Sequence, residues 1–98
     1  MKAAWTRKAQ QCLREIHDHI AKDQPGNAQR FVQRLIDKAD LIATAPEAGR
    51  VVPRYKRLNI RETFEGEYRI IYRFYNGRTE VLSVRHLARR LPKKIEML

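Results

Sequence analysis

LNIRETFEGEYRIIYRFYNGRTEVLSVRH, Leu58 to His86, holds the pattern from which the architecture follows. Leu58, Ile60, Glu62 and Phe64 alternate with Asn59, Arg61 and Thr63. Tyr68, Ile70, Tyr72 and Phe74 alternate with Arg69, Ile71 and Arg73. A period of two marks strands with one buried face. Glu65-Gly66 is the candidate turn between the first two strands. Asn76-Gly77 separates the second from the third, Val81 to His86, because both residues tolerate the positive φ that a type I′ turn needs twice. Three strands joined by tight turns predict an antiparallel sheet. Arg61, Arg69, Arg73, Arg78 and Arg85 lie in or beside these strands. With one face of the sheet on a core, arginines on the other form a cationic surface on a rigid scaffold.

Upstream, the apolar period changes to that of a helix. Trp5, Ala9, Cys12, Leu13, Ile16 and Ile20 share one helical face, with Thr6 as candidate N-cap and Lys2 to Trp5 as a candidate edge strand. The helix is expected to stop near Lys22, and Pro25 is placed to open the next one at its first position. Ala28, Phe31, Val32, Leu35, Ile36, Ala39 and Ile42 form a second stripe, which Pro46 ends. Two amphipathic helices with a short connection predict an antiparallel helical hairpin, and neither is stable until its stripe is covered. The sheet is the available cover. Ala48-Gly49-Arg50 reads as a turn. Val51-Val52-Pro53 reads as a brief extended piece, and Arg54 to Arg57 as a basic loop. Leu87 to Leu98 is too short to show a period.

At 98 residues, the chain fits one domain, residues 1–98, of α+β class. The net charge of +10 is lopsided: residues 50–98 carry 13 basic and 5 acidic side chains, against 8 and 6 in residues 1–49. A basic half points to a polyanionic partner, either nucleic acid or an acidic protein segment. Cys12 is the lone cysteine, so an internal disulfide is excluded, and it reads as a small core residue of a reducing compartment. No apolar run has membrane-spanning length, and Arg7, Lys8 and Arg14 interrupt any signal-peptide core, so a cytoplasmic location is expected.

Candidate sites narrow to the arginines. His17 and His19 are two apart on a helix and point in different directions, which argues against a metal site. No phosphate-cradling glycine loop is present, and Ser83, the single serine, has no nucleophile elbow around it. No cofactor and no metal are expected. Arg61 and Arg69 lie on neighbouring strands, where like charges need an anion or one of Glu62, Glu65 and Glu67. His86 closes the third strand and is the candidate proton-transfer group. Tyr55 is a candidate for base stacking, whereas Tyr68 and Tyr72 share an apolar face with Ile70 and Phe74 and read as core.

Taken in order, Trp5-Thr6 with Ala9 and Leu13, the helical hairpin, Pro46…Gly49-Arg50-Val51-Val52-Pro53, Ile60-Arg61-Glu62, Tyr68-Arg69-Ile70-Ile71-Tyr72-Arg73, Val84-Arg85-His86 and Arg89-Arg90-Leu91-Pro92 resemble the RelE/ParE superfamily of toxins from bacterial type II toxin–antitoxin modules. The resemblance covers nearly the whole chain. It implies a helical hairpin packed on a twisted antiparallel sheet and a cognate antitoxin that wraps the toxin in a hetero-oligomer. ParE-like members act on DNA gyrase; RelE-like members are ribosome-dependent mRNA endonucleases. Ile60-Arg61-Glu62 and His86…Arg89-Arg90-Leu91-Pro92 look closer to ParE. On that branch the expected target-binding residues are Arg69, Arg73, Arg89 and Arg90. On the RelE branch the resemblance makes Arg61, Arg69 and Arg85 phosphate ligands and His86 the catalytic acid–base, with the ribosome and mRNA as partners.

Overall fold

A computed structural model describes residues 1–98. Element order is β1 (Ala4–Trp5), α1 (Arg7–Ala21), α2 (Pro25–Ala43), a 3-10 turn (Pro46–Ala48), β2 (Arg50–Val51), β3 (Ile60–Glu65), β4 (Tyr68–Tyr75), β5 (Arg78–His86) and a second 3-10 turn (Ile95–Met97). Thr6 does cap α1: its Oγ1 accepts from the Ala9 N–H at 3.0 Å and donates to the Leu82 carbonyl at 3.3 Å. One hydroxyl thus starts the helix and ties it to the sheet. Pro25 opens α2 at its first turn, where no intrahelical N–H is lost.

The strands form one sheet in the order β1-β5-β4-β3-β2. Its three long strands pair antiparallel, as expected. β1 departs from that expectation and runs parallel to β5, making the sheet mixed. The reason lies in connectivity: α1 and α2 intervene between β1 and the hairpins, so β1 returns to the sheet by a long crossover. The β3–β4 turn falls one residue later than expected, at Gly66-Glu67. At the β4–β5 turn, Asn76 and Gly77 both take positive φ.

The pairing of β4 with β5 carries a bulge. Ile71 pairs with Ser83 and Tyr72 with Val81, so Leu82 is an extra residue on β5. Strict alternation is broken there. Val81 and Val84 join the core under the helices, with Ala9, Ile16, Leu35, Ala39 and Ile70. Leu82 joins a second core on the opposite face, with Val52, Ile60, Ile71 and Leu98. That second face is not the bare cationic surface the alternation suggested. Leu91, Ile95 and Leu98 fold back and roof its apolar part. The tail is fastened at Pro92, whose carbonyl accepts from Arg54 Nε at 3.1 Å and Tyr55 Oη at 2.8 Å.

Gly49 is required by space. A Cβ there would collide with the Tyr72 hydroxyl and lie 2.9 Å from the Glu62 carbonyl. The fully buried Tyr72 donates to the Pro46 carbonyl at 2.6 Å, which fixes the crossing from α2 into β2. No helix is long and apolar enough to cross a membrane.

Candidate target-binding face

Strand register assigns each candidate to a side of the sheet. Arg69 pairs with Arg85, and both share the helix-free face with Glu62, Ile71 and Arg73. Arg61 pairs with Tyr72 and lies on the helix-covered face. His86 pairs with Tyr68, also toward the helices. The candidate nuclease set therefore does not converge: Arg69 and Arg85 are neighbours, while Arg61 and His86 are on the other side. Arg61 and His86 are also apart from each other, because their β4 partners are four residues, about 13 Å, apart along the strand.

Arg61 is occupied by backbone. Its Nε donates to the Leu58 carbonyl at 2.8 Å, and its Nη1 to the carbonyls of Glu47 at 2.7 Å and Gly49 at 3.1 Å. Its guanidinium also lies over the Phe74 ring. These contacts clamp the Pro46–Gly49 crossing.

Arg69 is mostly inward. Its side chain is 15% exposed and its Nη1 faces the fully buried Glu62 carboxylate, Oε1, at 3.6 Å. Its Nη2 donates to the carbonyls of Leu87 at 3.1 Å and Arg89 at 2.9 Å. Arg50 holds the other Glu62 oxygen through Nε at 3.0 Å and Nη2 at 2.7 Å. One carboxylate thus lies between two guanidiniums. Arg73 is paired to Glu80 at 2.8 Å across the hairpin. Little in the sequence announces Glu62's role. Its one signal was an acid at an alternation position between Ile60 and Phe64, where an apolar residue belongs.

Arg85 has no carboxylate partner; its one side-chain bond is to Ser83 Oγ at 3.2 Å. Arg89 and Arg90 follow on an exposed turn. Arg54 adds a further cation beside the tail. Tyr55 sits among these charges. Burial pushes its phenol pKa up, and the nearby Arg85, Arg54 and Arg69 charges pull it back in part. The phenol therefore stays protonated at neutral pH and donates to Pro92. The rim combines these cations with a half-buried aromatic ring, and it fits a carboxylate- or phosphate-bearing surface.

His86 serves its own turn. Its Nδ1 accepts from the Ala88 N–H at 3.0 Å, so the neutral ring carries its proton on Nε2, which faces Glu67 at 3.3 Å. Its ring meets Tyr68 edge-on at 5.3 Å. Cys12, Glu15, His19, Tyr68, His86 and Arg89 line a groove of about 360 Å³. His17 contacts Asp18 on the surface, at 3.2 Å.

Comparison with known proteins agrees with the fold. Residues 3–91 match the family model described as ParE toxin of type II toxin-antitoxin system, parDE. Toxin RelE2 of Caulobacter vibrioides is 35% identical over 86 residues, spanning 87% of this chain and 93% of the relative. A solved chain of the chromosomal ParDE toxin–antitoxin system from P. aeruginosa superposes with a TM-score of 0.72, covering 88% of this chain and 95% of that one. At 21% identity this last likeness is one of fold. On the family match and the curated relative together, the chain belongs to the ParE toxin family of type II toxin–antitoxin systems.

Proposed function

We propose that this toxin poisons DNA gyrase by docking the rim formed by Arg54, Arg85, Arg89 and Arg90 on it, in the cytoplasm, and that a cognate antitoxin silences it by covering the same rim. The observation that carries this reading is the division of the arginines. Those a nuclease would need with His86 lie on opposite faces of the sheet, whereas Arg54, Arg85, Arg89 and Arg90, none of them paired to a carboxylate, lie around the Tyr55 ring and the turn that follows β5. Of the two sheet arginines expected to touch the target directly, Arg69 contributes by shaping that end, and Arg73 is paired to Glu80 four residues farther along β4, toward the opposite end of the hairpin. An acidic antitoxin segment that folds on binding would complement it.

The experiment is induction of the toxin alone, with pulse labelling of DNA and protein synthesis, beside a supercoiling assay with purified gyrase. Early arrest of DNA synthesis and loss of supercoiling are expected. The double substitution Arg89→Ala/Arg90→Ala is expected to relieve both without lowering the melting midpoint. Early arrest of translation with cleaved mRNA would replace this reading by the ribonuclease one. That alternative draws on a single observation, the Tyr55 phenol placed among Arg85, Arg54 and Arg69.

A further inference from the structure

We infer that Glu62 is a positioning residue for the Arg89-Arg90 turn, acting through Arg69; the inference rests on the reading of that turn as the target contact. Glu62 is 1% exposed, and its Oε1 has no hydrogen-bond partner. Arg69 Nε is likewise buried without one. A buried acid held this incompletely is a poor device for stability, since well-packed apolar residues in such a place are often as stable or more so. What the arrangement does supply is direction. Arg69 is drawn toward Glu62 by Nη1, which leaves Nη2 aimed at the Leu87 and Arg89 carbonyls. A planar guanidinium makes both contacts at once, and an ammonium does not.

The turn needs such help. Residues 87–90 are all exposed. The other hydrogen bonds holding it are Leu87 N–H to the Glu67 carbonyl, Arg89 N–H to the His86 carbonyl and Ala88 N–H to His86 Nδ1. Arg69 and His86 thus grip the turn from opposite faces of the sheet, and Arg50 anchors the far side of Glu62. The contacts run from β2 through β3 and β4 to the turn after β5. Two of the four side chains that the sequence offered as catalytic, Arg69 and His86, act here on the backbone that carries Arg89 and Arg90.

The test is Glu62→Gln, which keeps the shape and removes the charge. Amide hydrogen exchange at Leu87, Ala88 and Arg89 is expected to rise about tenfold, with the amides of β4 remote from Arg69 unchanged. The concentration of purified toxin that half-inhibits gyrase is expected to rise about tenfold, and adding Arg89→Ala/Arg90→Ala is expected to cost nothing more, because both changes act on one contact. Unchanged exchange, or losses that add in full, would overturn the inference. If Glu62→Gln does not fold, the pair Glu62→Leu/Arg69→Met replaces it. That variant is expected to melt near the wild type yet show the fast exchange and the weak inhibition. Wild-type exchange and potency in it would refute positioning. The exchange arm involves no target. A wild-type toxin inert against gyrase therefore removes the target reading and leaves positioning to be decided by exchange alone.

Discussion

Arg61→Ala separates a scaffold arginine from a catalytic one. The substitution removes three charge-assisted hydrogen bonds, to the carbonyls of Leu58, Glu47 and Gly49, and the contact over Phe74. A hydrogen bond to a charged group contributes about 1.5–3 kcal/mol when buried, and partial exposure at this site lowers that to about 1 kcal/mol each. The loss is then about 3 kcal/mol. For a domain of this size each kcal/mol moves the midpoint by about 4–8 °C, so a fall of about 12–24 °C is expected. Thermal unfolding followed by circular dichroism reads it directly. Gyrase inhibition, measured well below the new midpoint, is expected to stay within about twofold of wild type, since surface changes remote from a contact have small effects. A midpoint within about 2 °C of wild type together with abolished toxicity would show that Arg61 serves the target and not the fold.

Thr6→Ala removes the α1 cap and the link to Leu82, and a loss of about 1–2 kcal/mol in urea unfolding is expected. Tyr72 gives a signed pH dependence. Burial raises its phenol pKa above the ordinary 10.0, outweighing the Gly49 N–H and Arg61 that lower it. The unfolded chain therefore loses this proton first as pH rises, so the contribution is complete below pH 10.0 and declines above it. Tyr72→Phe is expected to flatten that alkaline decline in a pH series of melts. Masking by charge predicts that antitoxin affinity falls steeply as salt rises from about 0.1 to 1 M, and titration calorimetry showing constant affinity would count against it.

Much of the fold was legible because its signals were local. The stripes of α1 and α2, Pro25, Thr6 and Asn76-Gly77 each act within a few residues of themselves. What escaped reading depends on distant partners. A two-residue β1 carries no mark of its direction, which the crossover decides. Leu91, Ile95 and Leu98 make too short a pattern to announce a roof, and only Val52, Ile60, Ile71 and Leu82 give them a purpose. At the candidate site, composition marked the half of the chain that carries most of the arginines but could not separate those that clamp backbone from those left without a carboxylate partner. Arg61 and Arg85 look alike in the sequence. One meets three carbonyls and the other a single hydroxyl, and only the register reveals this.

The extra residue at Leu82 sets the phase of everything after it. Counted back from the Tyr75–Arg78 turn pair without a bulge, Ile70 would meet Ser83, Arg69 would meet Val84 and Tyr68 would meet Arg85. Arg85 would then enter the greasy layer beneath the helices, and a valine would stand where the cation now stands. The observed slip moves the final four residues of β5 by one step, which turns Arg85 outward beside Arg69 and sends His86 inward to Tyr68. A single insertion in mid-strand therefore selects which chemistry this end of the molecule offers to the outside. Two relatives with the same residues but a different bulge would show different faces to the cell.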